Sequence, residues 1–249
     1  MHGDSGRDCV VLLPAAGCTT GYLRPLAQQL AAAGLRAVAI NLRGSGASTG
    51  KLDGISLHDL AADVAAVVTQ LGIGPVHVAG HAFGNRVARC LAADHPQLVR
   101  GVILLAAGGR VEPDAETREA GRKLARTDIS EAERLAAMRQ VYLSPHSDPD
   151  LIRQVEQPPT VTLAHAAAAK QTPIEEWWSG GQAPMLVIQG QDDRMAPPAN
   201  GHALRERFGA RVRVVDIERA AHLLPLEATD AVAREMVCFV TASSTEHAG

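Results

Sequence analysis

The run Val76-His77-Val78-Ala79-Gly80-His81-Ala82-Phe83-Gly84-Asn85 carries the strongest local signal in the chain. An apolar stretch passes straight through G-x-A-x-G into a helical pattern. A turn that joins strand to helix without a loop strains its central residue and leaves no room for a Cβ on the neighbouring glycines. The central side chain is thereby aimed out of the sheet, beside a helix N-terminus whose free N–H groups favour developing negative charge. That position suits a nucleophile, but it holds Ala82, which has neither oxygen nor sulfur and cannot form an acyl intermediate. A histidine brought to that turn from elsewhere in the chain would offer different chemistry: an imidazole can act as general base on water or on an acidic substrate proton, a step worth about 10²–10⁴-fold.

Residues so far apart in sequence meet only if the chain between them builds a scaffold. Short apolar runs without alternation at 9–13, 35–41, 76–79, 101–107, 184–189 and 211–217 read as buried strands. Helical spacing is present at 22–33, 56–71, 82–94 and 224–240, with Ser56 and Asp59 placed to cap the second helix. Strands of this kind interleaved with helices predict an α/β fold, a mostly parallel sheet of about six strands covered on both faces. Residues 109–181 break the rhythm, with helical patterns near 114–126, 130–142, 148–157 and 160–178. They are read as a helical lid inserted into a core made of residues 1–108 and 182–249. The tail 241–249 is small and polar and is expected to fray.

These segments together resemble the α/β-hydrolase fold family. Gly80-His81-Ala82-Phe83-Gly84 is similar to its nucleophile elbow, G-x-S-x-G. Gly190-Gln191-Asp192-Asp193-Arg194-Met195-Ala196-Pro197 looks like its acid-bearing loop, with Asp193 the better match and Asp192 the fallback. Ala221-His222-Leu223-Leu224-Pro225 resembles its histidine loop, and Asn41-Leu42-Arg43-Gly44-Ser45-Gly46-Ala47-Ser48 its D-x-R-G-x-G-x-S loop. The order elbow, acid, histidine is the one expected of the fold. The resemblance implies that Asp193 orients His222, and that N–H groups of Ala16 and Phe83 form an oxyanion hole. The chain departs from the pattern at Ala82, at Pro14-Ala15-Ala16-Gly17 in place of His-Gly, at Asn85 for a glycine and at Asn41 for an aspartate. The hairpin that commonly precedes the first core strand is expected to be absent or truncated. Ala82 reads either as a serine replaced to disable the enzyme or as natural divergence toward nucleophile-free chemistry.

Around this site Cys18, Met138, Tyr142, His165, Trp177, Trp178 and Leu223 are candidates to line a substrate pocket. Each has a plainer reading as core packing, and Cys18 is read as buried filling before it is read as a substitute nucleophile. His77 and His81 are read as structural. Arg43 and Arg86 are read as surface ion-pairing residues, with reach to an anionic substrate as the alternative. The function expected is that of an enzyme acting on a small, largely apolar ester, lactone or related carbonyl compound. A non-catalytic small-molecule receptor is the alternative.

The 249 residues carry a net charge of −3, with 20% charged and only 3% aromatic residues. No basic stripe or stacking platform for nucleic acid is visible. No apolar run is long enough to span a bilayer. The four cysteines Cys9, Cys18, Cys90 and Cys238 have neither disulfide-framework nor zinc-like spacing. Gly44-Ser45-Gly46 lacks the spacing of a dinucleotide site. The expectations are therefore a cytoplasmic protein with a small-molecule substrate, no metal and no cofactor; a homodimer is compatible with them.

Overall fold

The computed structural model describes residues 1–3, 8–124, 126 and 128–245. Strands β1 (Cys9–Leu13), β2 (Arg36–Ala39), β3 (Val76–His81), β4 (Val99–Leu105), β5 (Met185–Gly190) and β6 (Val212–Ile217) form one sheet in the order β2-β1-β3-β4-β5-β6. Every neighbouring pair in it is parallel. At its outer edge His2 makes an isolated antiparallel bridge to Ala37. The helices are α1 (Arg24–Ala32), α2 (Leu57–Gln70), α3 (Phe83–Asp94), α4 (Ala115–Leu124), α5 (Glu131–Tyr142), α6 (Pro159–Gln171), α7 (Ile174–Trp177), α8 (Ala199–Phe208), α9 (Leu224–Glu227) and α10 (Thr229–Thr245).

The unbroken apolar runs are explained by a sheet buried on both sides. Val11 and Leu13 of β1, Val102 and Leu104 of β4, and Val187 of β5 enter a core with Leu60 and Val64 of α2, Val87 and Leu91 of α3, and Leu204 of α8. Their neighbours Val10, Leu12, Ile103, Leu105, Leu186 and Ile188 enter a second core with Leu26 and Leu30 of α1 and Val232 and Met236 of α10. Helices α4 to α7 all fall between β4 and β5. Among the described residues no helix is long and apolar enough to cross a membrane.

Topology places the site. From β1 the chain moves outward to β2, then returns past β1 to start β3 on its other flank. The loops leaving β1 and β3 therefore diverge, and a crevice opens beyond the carboxyl ends of these two strands, where ligands bind in open α/β sheets.

Several elements differ from their sequence reading for local reasons. Pro173 divides the stretch 160–178 into α6 and α7. The segment 148–157 holds a 3₁₀ helix, Pro149–Gln154, rather than an α-helix. The final helix breaks at Ala228 and runs on to Thr245, well into the tail expected to fray. Residues 246–249 of that tail, and residue 125 within the stretch 114–126, lie outside the described residues. Helix α8 carries no apolar periodicity because Asn200, Gly201 and Leu204 form its buried face. A Cβ on Gly201 would sit 3.1–3.3 Å from Val187, Gln189 and Val214, so the helix lies almost directly on the sheet.

Candidate active site

Strand β3 delivers Ala82 in a conformation that L-residues avoid, with φ 49° and ψ −109°. Such a residue stores about 1–3 kcal/mol of strain and persists only where its surroundings over-determine it. Here the Ala82 N–H donates to the Leu105 carbonyl at 2.9 Å, and the Ala82 carbonyl accepts from Asn85 N–H at 3.2 Å. The flanking glycines are required by close approach. A Cβ on Gly80 would lie 2.2 Å from the Gly84 carbonyl oxygen, and one on Gly84 would lie 2.5 Å from that of Leu13.

The acid and the histidine arrive from β5 and β6. Asp193 Oδ1 accepts N–H bonds from Met195 at 2.9 Å and Ala196 at 2.7 Å, which fixes the carboxylate. Its Oδ2 lies 3.0 Å from His222 Nδ1, and both residues are buried. A carboxylate only accepts, so Nδ1 carries a proton and the neutral ring keeps its lone pair on Nε2. Asp192 accepts instead from the Ser144 hydroxyl at 2.6 Å, which leaves Asp193 as the partner. The Tyr142 ring stacks on His222 with centroids 5.4 Å apart, and the Tyr142 carbonyl accepts from Leu223 N–H at 2.9 Å.

Three loops are joined through His81, the second residue of the G-x-A-x-G turn. The Ala15 N–H donates to the Tyr22 hydroxyl at 2.9 Å, and that hydroxyl lies 2.7 Å from His81 Nδ1. His81 Nε2 donates to the His222 carbonyl at 2.7 Å, so Tyr22 must be the donor to Nδ1. Burial holds this imidazole neutral, its pKa pushed down to about 3, with His222 adding to the shift. The expectation of a structural role fits this position, but the partner Tyr22 was not anticipated; it reads as one more apolar position of a helix.

The loop after β1 is held from α6 and the segment before it. Gln157 Nε2 donates to the Ala16 carbonyl at 3.0 Å. His165 Nδ1 accepts from Gly17 N–H at 3.0 Å while its Nε2 donates to the Arg43 carbonyl at 2.8 Å, and its ring lies flat on Phe83 at 5.0 Å. Burial pushes its pKa down, in keeping with a neutral ring that accepts at Nδ1. The N–H groups of Ala16 and Phe83 have no hydrogen-bond partner among the described residues, and both residues border the cavity.

That cavity has a volume of about 370 Å³ and lies against Ala82 and His222. Of the candidate residues, Ala16, Cys18, Ala82, Phe83, Tyr142, His222 and Leu223 line it, and Asp193 stands behind His222. Four candidates are placed elsewhere. Met138 packs into the α1–α10 core. His165 turns both ring nitrogens to the backbone. Trp177 and Trp178 clasp the buried Arg89 guanidinium, 4.6 Å and 4.9 Å from the ring centres. Arg89 is held by Asn85 Oδ1 at 2.5 Å and the Gly108 carbonyl at 2.9 Å, which explains the Asn85 departure from glycine. Burial raises the Cys18 thiol to about 12, so it is no thiolate near neutral pH.

The two candidate arginines part ways. Arg43 forms a two-pronged ion pair with Asp63 at 2.6 and 2.8 Å, as read from sequence. Arg86 departs from that reading: it makes no ion pair or hydrogen bond among the described residues and lines the cavity. Away from the cavity, His58, Cys90 and Asp94 bring ligand-type atoms within 4.8 Å of one another at the α2–α3 crossing. They are hydrogen-bonded among themselves, and His58 also reaches Glu176 of α7.

A model of the alpha/beta hydrolase fold family matches residues 9–138. The provisionally named carbamate hydrolase RutD of Variovorax paradoxus is 32% identical over 106 residues, 42% of this chain and 40% of that protein, so the match spans less than half of that relative. The provisionally named non-heme bromoperoxidase BpoC of Mycobacterium tuberculosis is 28% identical over 221 residues, 84% of each chain. Its crystal structure matches with a TM-score of 0.81 at 25% identity, covering 97% of this chain and 94% of that one. A thermophilic esterase from Thermogutta terrifontis, 21% identical with a TM-score of 0.80 over 97% and 92% of the two chains, shares the fold.

Proposed function

The chain belongs to the α/β-hydrolase fold family, and from that premise we propose that it is a general-base enzyme acting on a small, largely apolar ester, lactone or related carbonyl compound. The observation that carries this reading is the buried Asp193–His222 pair, whose free Nε2 belongs to a ring lining the cavity beside Ala82. A pocket that only binds does not need an imidazole held in one tautomer by a fixed carboxylate. In the proposed reaction His222 Nε2 takes a proton from water as the water oxygen bonds to the carbonyl carbon. The displaced π pair becomes an oxyanion held by the N–H groups of Ala16 and Phe83. Collapse of that adduct expels the alkoxide, which takes the proton back from His222. The same groups serve proton abstraction from carbon, with an enolate in place of the tetrahedral oxyanion. Residues 109–181 act as the lid, contributing Tyr142, Gln157 and Thr162 to the cavity wall.

The methyl group of Ala82 favours a second reading, a small-molecule binding protein on the same fold. Short p-nitrophenyl esters separate the readings when given to the Ala82 protein and to Ala82→Ser. Turnover by the Ala82 form that disappears in His222→Ala is the expected result. Turnover in the serine variant alone points to a disabled hydrolase. Ligand affinity without turnover in either favours the receptor.

A further inference from the structure

We propose that the cavity takes a ligand bearing a carboxylate or similar monoanion, paired with Arg86. The inference rests on the cavity assigned above as the substrate site, and names the chemical class of what enters it. Arg86 is the one fixed charge among the described residues that line this cavity, and no aspartate or glutamate lines it. The other walls there are largely apolar, contributed by residues such as Ala15, Val155, Ala166 and Leu223. A half-buried guanidinium in such a place is costly unless something compensates it. Nothing in the described chain does so within ion-pair or hydrogen-bond reach. Glu112 is the acid that acts on it from a distance, and Glu112 is exposed.

The surroundings raise the demand for an anion. Arg89, one turn along α3, is fully buried with no carboxylate partner among the described residues, its charge spread over amide oxygens and the two tryptophan rings. Arg86 lies over the same Trp177 ring, 5.5 Å from its centre. Two cations thus share one aromatic ring, and each disfavours the other. The N-terminus of α3 points its partial positive charge at the same cavity. The other two arginines compared have hydrogen-bond partners for their guanidinium groups, Arg89 in amide oxygens and Arg43 in Asp63, whereas Arg86 has neither among the described residues.

Geometry also says where the anion sits. Arg86 follows Ala82 by four residues, about 6 Å along a helix axis. Helical side chains lean toward the helix N-terminus, so the guanidinium reaches back toward the elbow rather than away from it. The ligand is accordingly a short apolar body whose carboxylate meets Arg86 while its reacting carbonyl lies over Ala82. A planar guanidinium suits a carboxylate by two parallel hydrogen bonds.

The test is a calorimetric titration of the purified protein with hexanoate and with hexanamide, which share a shape and differ in charge. Hexanoate should bind more tightly to the unmodified protein. Arg86→Met, which keeps much of the apolar stem, should weaken hexanoate by about tenfold or more and leave hexanamide unchanged. His222→Gln should keep the preference for hexanoate. That result leaves the anion subsite standing even if the general-base reading fails, because no turnover is measured. An unmodified protein indifferent to charge overturns the proposal without recourse to any variant. So does a preference for hexanoate that survives Arg86→Met, or one that His222→Gln abolishes, since the latter places the anion on the imidazole.

Discussion

The elbow and the base loop face each other across one cavity, yet they are specified in different ways. At the elbow the geometry belongs to the backbone. Gly80 and Gly84 let α3 pack onto β3 and the loop after β1, and the forced φ at Ala82 follows whatever side chain stands there. The base loop is specified by side chains. Asp193 and His81 hold His222 from two directions, and Glu227 accepts from Ala221, Ser144 and Ser147 to tie the same loop to the end of α5. A backbone-specified feature keeps its shape when its reactive group is lost. A side-chain network loses shape and chemistry together.

Three substitutions or conditions press on that difference. The largest expected effect is on turnover. His222→Ala should lower kcat by about 10²–10⁴-fold and lower the melting temperature as well, since it removes the proposed base and leaves the buried Asp193 carboxylate without its imidazole partner. Steady-state kinetics beside a thermal melt reads both, and unchanged turnover breaks the assignment of the base. Next comes Gly84→Ala, which drives a Cβ into the Leu13 and Pro14 carbonyls at 2.5 and 2.6 Å. It should cost about 4 kcal/mol of stability by urea unfolding. A loss under 1 kcal/mol would mean that the elbow is not held by the backbone.

The smallest effect near neutrality concerns His81. Its folded pKa is about 3, against an ordinary 6.5. The unfolded chain therefore takes up a proton that the folded chain refuses. The stabilisation is fully present above 6.5 and is lost as pH falls toward 3, by about 1 kcal/mol at pH 6. His81→Gln should flatten that slope, and an unchanged slope would remove the neutral imidazole from the network.

The sheet was largely legible in the sequence because strands buried on both faces leave unbroken apolar runs, as at 9–13 and 101–107. The helix over 199–208 was not, since its buried face is Asn200, Gly201 and Leu204 rather than an apolar stripe. At the site, the G-x-A-x-G turn brought forward Ala82, while Asp193 and His222 came forward through the resemblance of their loops to those of the α/β-hydrolase family. The lid residues were not separable by the same means. Met138 and Tyr142 both lie on α5, four residues apart, yet one enters the core and the other borders the cavity. Trp177 and Trp178 drew notice as large aromatics, but what decided their place was a buried arginine on another helix. Arg86 reads as an ordinary surface cation until its lack of an acidic neighbour is seen in three dimensions.

The stitch through Tyr22, His81 and the His222 carbonyl means that the bottom of the pocket moves as one piece or hardly at all. Tolerance for substrates of different length must then come from above, where Gln157, Thr162 and Tyr142 close over it. Diversification among chains with this floor would be expected to gather in that roof, while the stitched part stays unaltered beneath changing specificities.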